Sequence, residues 1–537
     1  MAKKVNPAAN PAPDAQPRNK PKRPAHLAHG RWLGDFPKLS AAEKKLLAAC
    51  AMGEPCRLGV ARPEESDTAK TIRAGLIRFV ALGGDLENPV HENGVQLYGA
   101  WISGELRLNS ASSVARLRLV RCTFIGEIHA QDANLIVLNL EGSHIPKLNA
   151  DRVQISGSLF LRKGFSSTGE IRLLGARIGG NLDCGGGSFG SADDKGHPRG
   201  DALIADRITT KSVLLGAGFS AIGEVRLLGA HISGNLDCSG GSFSNADKAG
   251  KAIGKALIID GAEISDGLFV RNARFTGLID LTTAHAGSLL DDRECWPKAS
   301  LFLDGFRYDR IAESPTDADS RIDWLKRQTP DHLIKDFRPQ PWEQLIKVLR
   351  EMGHPYEASK LAMEKQRRWR KSWGIALWRP RAVFHAIYGI VAGYGYRPWW
   401  TVGWMTAVCF LCSLAYYAGR YDGLFGPTSP PIQLSKDLAA AGCGDGGTPG
   451  KIYWTSPECP MPPEYTSFQP FIYSLDVLLP FVDLQQENDW APIVSNERGQ
   501  PLIAGHLLRF LMWFEVLFGW LSSVLLAAVA GNLVKKD

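Results

Sequence analysis

The sequence predicts a multidomain chain: a right-handed parallel β-helix, then an α-helical linker, then two transmembrane helices. Three observations carry this reading. Between Val95 and Leu303 short apolar alternations recur about every 20 residues, broken by Gly, Asn, Asp and Ser. Brief strands separated by tight turns and stacked as a solenoid give that pattern. After Asp304 the apolar spacing becomes helical. Finally, two long apolar runs bracket an acidic segment, and each is long enough to cross about 30 Å of hydrocarbon.

Taken in order, residues 1–36 are rich in Pro, Ala and Lys without apolar periodicity, and a disordered basic tail is expected. Residues 37–85 read as a helical N-terminal cap. Ser40 and Glu43 form a capping box before Leu46 and Leu47. A second helix is expected over Asp67 to Leu82, with Ile72, Leu76, Ile77 and Val80 on one face and Gly83-Gly84 as its stop.

Residues 86–310 form the expected solenoid. Its longest repeat, Thr168-Gly-Glu-Ile-Arg-Leu-Leu-Gly-Ala-Arg-Ile178, returns 54 residues later at 222–232. Each copy is followed by Asn-Leu-Asp-Cys and then Gly-Gly-Ser-Phe. Turns such as Ala150-Asp-Arg-Val-Gln154 and Ala205-Asp-Arg-Ile-Thr209 are pentapeptide-like. Cys184 and Cys238 occupy equivalent inward positions and read as part of a core column. Asp183 and Asp237 are expected to face solvent. The glycine-rich stretches 185–190 and 216–223 do not join a buried strand to a long helix, so they are not read as dinucleotide fingerprints.

Residues 311–378 read as a cytoplasmic helical linker containing a hairpin around Gly353-His-Pro355. Its Pro341-Trp-Glu-Gln-Leu345 pattern resembles a tetratricopeptide-type hairpin, but a single unit makes no array, and a collar between solenoid and membrane is the simpler reading. Residues 379–397 are apolar, aromatic and too short to span, as expected of an interfacial helix. Transmembrane helices are assigned to 398–419 and 507–534. The segment 420–506 is an extracytoplasmic acidic loop, with a re-entrant helix at 468–479.

Charge sets the orientation. The net charge of +7 comes from the N-terminal tail and from a basic cluster before the first span, Arg367 to Arg397. This is the signature of a cytoplasmic flank and anionic lipid rather than nucleic acid. Both termini are therefore expected in the cytoplasm and the acidic loop outside. Outside means the periplasm in a diderm bacterium, where Cys443 and Cys459 can pair; the sequence leaves that disulfide open. The ten cysteines form no zinc constellation, and the Cys409-x-x-Cys412 motif lies inside the first span. No catalytic motif and no cofactor is assigned.

Three carboxylates stand out in the membrane region. Glu515 is the single charge in the run 510–534. Such a residue marks a functional site, or it snorkels to the interface or pairs with Arg509. Asp476 and Asp483 either line an outer vestibule that attracts cations or belong to a solvated loop.

The order of span, short helix, acidic loop and span resembles the two-span pore module of the tetrameric ion channel superfamily. The stretch Glu515-Val-Leu-Phe-Gly519-Trp520 is similar to its inner helix. Leu478-Leu-Pro-Phe-Val-Asp483 stands where a Thr-Val-Gly-Tyr-Gly filter would be, so potassium selectivity is not implied. The whole chain resembles a bacterial membrane protein family that combines a pentapeptide-like β-helix with a C-terminal ion-channel-like domain. The resemblance rests on Ile72-Arg-Ala-x-x-Ile-Arg-Phe79, the glycine-rich turns and Tyr473-Ser-Leu-Asp-x-x-Leu-Pro480. It implies a multi-pass protein of the bacterial inner membrane, embedded in the lipid bilayer and assembled as a homo-oligomer, with a solenoid offering a surface to a protein partner. Relatives often carry the label membrane-associated oxidoreductase, but no flavin, nicotinamide or metal motif here supports it. Two alternatives remain beside the scaffold with a pore-like domain: an enzyme on the solenoid using Asp183 or Asp237, and a sensor of a periplasmic signal.

Overall fold

The structure is a computed structural model and describes residues 32–193, 197–298, 300–372, 380–444, 450, 452–496 and 499–534. The expected tail lies outside the described residues as far as residue 31. Contacts divide the chain into two units. One runs to Pro330 and takes in Glu343–His354; the other comprises Asp331–Trp342 and the chain from Pro355 onward.

The first unit holds three large parallel sheets, of sixteen, nine and nine strands. Most strands are two to four residues long, too short to hold a register alone. Register comes instead from columns of like residues. Leu117, Leu138, Leu159, Leu182, Val213, Leu236 and Leu268 sit opposite one another on successive strands. Ile128, Leu148, Ile171, Leu203, Val225, Leu257 and Ile279 do the same in another sheet. Every member of both columns is buried, so a one-residue slip would turn a whole column toward water. The largest sheet is two such arrays joined at the longer strand Glu263–Phe269.

One corner recurs and explains the pentapeptide-like turns. Asp132, Arg152, Gly175, Arg207, Gly229, Gly261 and Thr283 all adopt a left-handed backbone, with φ between 54 and 64°. Each donates its N–H to the residue before the next member or its equivalent, as Arg152 does to Leu174 and Gly175 to Asp206. Glycine accepts this conformation freely, while Arg152 and Arg207 carry a cost of about 1 kcal/mol. Arg152 reaches back to Asp132, 2.7 Å away and 20 residues earlier. Arg172–Asp151 and Arg226–Asp206 repeat this kind of pairing. The 54-residue repeat includes an excursion closed by an antiparallel bridge, Ala192 with Pro198 and then Ala246 with Ala252.

Aromatic rings form a second column. Phe165, Phe189, Phe219, Phe243, Phe275, Trp296 and Trp324 follow one another at centroid separations of 4.9 to 6.5 Å. Beside the last two rings Arg321 forms a buried bidentate pair with Asp291, at 2.8 and 2.9 Å, and the Trp296 indole donates to the same carboxylate. A carboxylate so satisfied holds the column's end without leaving a buried charge unmatched.

At the other end, helix α1 (Ala41–Met52) starts at the Ser40–Glu43 capping box and stops at left-handed Gly53. Burial alone would raise the Glu43 carboxyl, yet the Arg73 guanidinium and the Ser40 N–H hold it below the usual range. The second element differs from expectation. Helix α2 spans only Ala74–Ala81, because Thr71–Arg73 is a strand paired with Trp101–Ser103. Ile72 sits opposite Ile102, where a β-branched side chain packs well. With Cys56–Arg57 paired to Leu97–Tyr98, the sheets begin earlier than residue 86, and these strands cover edges that would otherwise be open.

Helices α3 (Ala318–Leu325), α4 (Pro330–Leu333), α5 (Gln340–Glu351) and α6 (Pro355–Ser372) follow the sheets. In the second unit α7 (Pro380–Ala392) leads through a 3₁₀ turn to α8 (Pro398–Tyr421). Short helices α9 (Pro430–Gln433), α10 (Lys436–Ala440), α11 (Pro470–Leu478) and α12 (Gln486–Asp489) precede the long α13 (Ile503–Val534). α8 and the stretch Ile503–Ala528 of α13 are long and apolar enough to cross a membrane, and only 28% and 17% of their apolar stretches is buried within the chain. A soluble core helix would be covered all round. α13 starts four residues before the expected 507, so that His506 falls within its first turn.

Candidate functional site

The site lies where α8, α11 and α13 meet. α11 has nine residues, a length of about 13 Å, less than half of a hydrocarbon core. Pro470 opens it at the first helical position, where a missing N–H costs nothing. Tyr416 of α8 and Tyr473 of α11 meet edge to face at 5.1 Å, and both pack on Phe425. α13 can approach α11 because residue 519 is glycine. A Cβ there would stand 2.0 Å from the carbonyl oxygen of Leu478, so any larger side chain would force the helices apart.

At the centre of this packing is Glu515, fully buried with Ser474, Tyr416 and Tyr473. It neither snorkels nor meets Arg509, whose guanidinium donates instead to the Pro492 carbonyl at 2.6 Å. The Tyr416 hydroxyl donates to Glu515 Oε2 at 2.8 Å, and the Cys412 thiol also faces the carboxyl. Ser474 Oγ contacts both Glu515 Oε1 and the Cys409 carbonyl, the latter at 2.9 Å. Glu515 thus links three helices: it accepts from Tyr416 of α8 and from Ser474 of α11, while Ser474 also ties α11 back to the Cys409 carbonyl of α8.

Asp476, also expected at a vestibule, is buried, and both of its oxygens are engaged. They accept the N–H groups of Leu484 at 2.6 Å and Glu487 at 2.9 Å. It orders the turn after α11 rather than offering a free charge. Asp483 is exposed and accepts from Gln485 N–H and the Asn488 amide. Glu487 stands near both; burial, then Asp476 and Asp483, push its carboxyl above the usual range. Replacing Asp476 by Ala should cost about 1–2 kcal/mol of local order. Hydrogen exchange at residues 484–489 is the measurement: faster exchange there, with α8 and α13 unchanged, is the expected result.

The segment between the long helices is folded. Phe425–Pro427 pairs with Trp490–Pro492, and Asp489 accepts from the Thr466 N–H and hydroxyl. Cys443 and Cys459 are joined as a disulfide with Cα atoms 5.8 Å apart. Two of the expected acids in this segment, Asp445 and Glu497, lie outside the described residues.

Of the two sheet carboxylates, Asp183 differs from the expectation that it faces solvent. Asp183 is largely covered, bonded to Arg162 at 2.6 Å and to Gly185 N–H, and Asp237 accepts from Ser239 N–H. Leu214 stands between them in register, two strand spacings or about 10 Å across. Burial holds the Cys184 and Cys238 thiols far above the range of a reactive cysteine. Among the described residues no group of three His, Cys, Asp or Glu side chains is arranged to hold a metal. Sequence reasoning singled out Glu515 but missed Ser474 and Tyr416, whose polar groups look ordinary until the fold brings them to it. Comparison with family models, curated proteins and solved structures gives no match.

Proposed function

We propose that the chain is an integral membrane protein in which a cytoplasmic β-helical scaffold is joined to a two-span module that forms a pore when several copies assemble. The three parallel sheets, with register partners 20 to 23 residues apart in most turns and 31 or 32 where the excursions intervene, and with stacked apolar columns, are read as faces of one right-handed parallel β-helix. Helices α8 and α13 are read as its membrane spans, and the half-exposed aromatic face of α7 (Phe384, Ile387, Tyr388) as lying in the interface. The positive flank before α8 supports cytoplasmic termini.

The observation that carries the pore is α11, too short to span yet packed against both long helices. It is followed by Phe481 and Val482, whose side chains are exposed at 78% and 46%. A turn of that kind needs a neighbour, and copies around one axis supply it. The unmatched carboxylate of Asp483 beside Glu487 favours cations at the mouth.

The test is the oligomeric state of the full chain in nanodiscs, with conductance in planar bilayers. Several copies per disc and cation-selective current are expected; a monomer that passes no ions would reduce the module to an anchor. Membrane residence is checked separately by alkaline carbonate, which should leave the chain in the vesicle pellet.

A further inference from the structure

We propose that the outer face of the first strands in the largest sheet binds a soluble anion carrying several phosphate groups. Arg57 lies opposite Tyr98, and Arg118 lies between Gln96 and Asn139 on neighbouring strands. Arg116 is two residues before Arg118 and so projects from the same face. All three arginines are exposed, and with Arg121, Tyr98 and Phe160 they line one groove of about 640 Å³. Arg57 stacks on Tyr98 at 4.8 Å, which fixes the direction of its guanidinium.

What marks this groove is three neighbouring arginines without a counter-charge. Several other arginines of the sheets are paired: Arg152 with Asp132, Arg172 with Asp151, Arg226 with Asp206. In the groove itself Arg162 is held by Glu141 and Asp183. Among the described residues no carboxylate lies within ion-pair distance of Arg57, Arg116 or Arg118. Three neighbouring guanidiniums without an acid repel one another, and an anion that joins them removes that repulsion.

Spacing selects the ligand. Arg116 and Arg118 are about 7 Å apart along one strand, and Arg57, two strands across and in register with Val120, is about 12 Å from Arg118 between Cα positions, within reach of converging arginine side chains. A single phosphate can meet two of these forks; a chain of two or three phosphates can meet all three bidentately. The groove is concave and of a volume typical for small-molecule sites, whereas a bilayer surface requires a flat or convex face.

The probe is sodium tripolyphosphate, titrated calorimetrically into the full chain in nanodiscs of neutral lipid. Saturable binding is expected, at least tenfold tighter than that of glycerol 3-phosphate, a headgroup mimic with a single phosphate. Arg116→Ala with Arg118→Ala should weaken it tenfold or more, and the double lysine variant should fall between. Arg274→Ala with Arg307→Ala removes the same charge from exposed positions elsewhere and should change affinity less than twofold. Absence of saturable binding, equal loss in the control pair, or a preference for glycerol 3-phosphate would overturn the proposal.

Discussion

Phe219→Ala is expected to lower the stability of the three-sheet unit by about 3–5 kcal/mol. Phe219 is 1% exposed and stands between Phe189 and Phe243, at 5.0 and 5.3 Å. Truncation therefore opens a cavity flanked by two rings, and removes two aromatic contacts of about 0.5–1.5 kcal/mol each beyond the area lost. Short strands on either side cannot collapse into the gap without moving Ser220, Ala221 and Ile222 out of register with Ser242, Phe243 and Ser244. The value should lie in the upper half of the range for that reason. Thermal melting of the full chain, followed by the far-ultraviolet signal of β structure, should show the sheet transition lowered by on the order of 10 °C. Phe219→Leu should cost roughly half as much, and Val114→Ala, at a side chain 66% exposed, less than about 0.5 kcal/mol. A loss below about 1 kcal/mol for the alanine variant would mean that the ring column is not what holds adjacent strands together.

The same column shows how far the sequence could be read. Gly-Gly-Ser-Phe repeats announce a ring at a fixed place, and the Leu and Ile triplets announce the inward faces, because local periodicity and burial coincide there. The α1 capping box is legible for the same reason, since Ser40 and Glu43 act within one turn. Reading fails where a distant partner decides. Ile72 fits a helical stripe as well as a strand, and only Ile102 on the neighbouring strand settles it. Arg509 reads as a candidate partner of Glu515, although its side chain finds the Pro492 carbonyl instead. Arg162 and Asp183 look like ordinary surface charges until their separation of 21 positions is seen to bring one opposite the other.

The cluster around Glu515 is the extreme case, because Tyr416 and Glu515 are 99 residues apart and Ser474 lies between. A carboxyl that accepts hydroxyls from two helices has a definite mutational signature. Glu515→Gln largely preserves it: the amide carbonyl accepts from Tyr416, and the amide N–H can donate to Ser474 Oγ. That variant should stay within about 1 kcal/mol of the parent. Glu515→Ala removes both bonds, leaves the Tyr416 hydroxyl buried without an acceptor and opens a gap beside Met512 and Val516. It should cost about 2–4 kcal/mol. Glu515→Lys adds a charge with no acid facing it from Tyr416 and Cys412 of α8 or Tyr473 and Ser474 of α11, and no folded chain is expected. Thermal aggregation of the full chain in nanodiscs ranks the series. If Gln were as damaging as Ala, the charge of the carboxyl rather than its hydrogen bonds would hold the three helices. Gly519 adds a second constraint one turn further on, because only a residue without a Cβ lets α13 approach the Leu478 carbonyl and keep Glu515 within reach of Ser474.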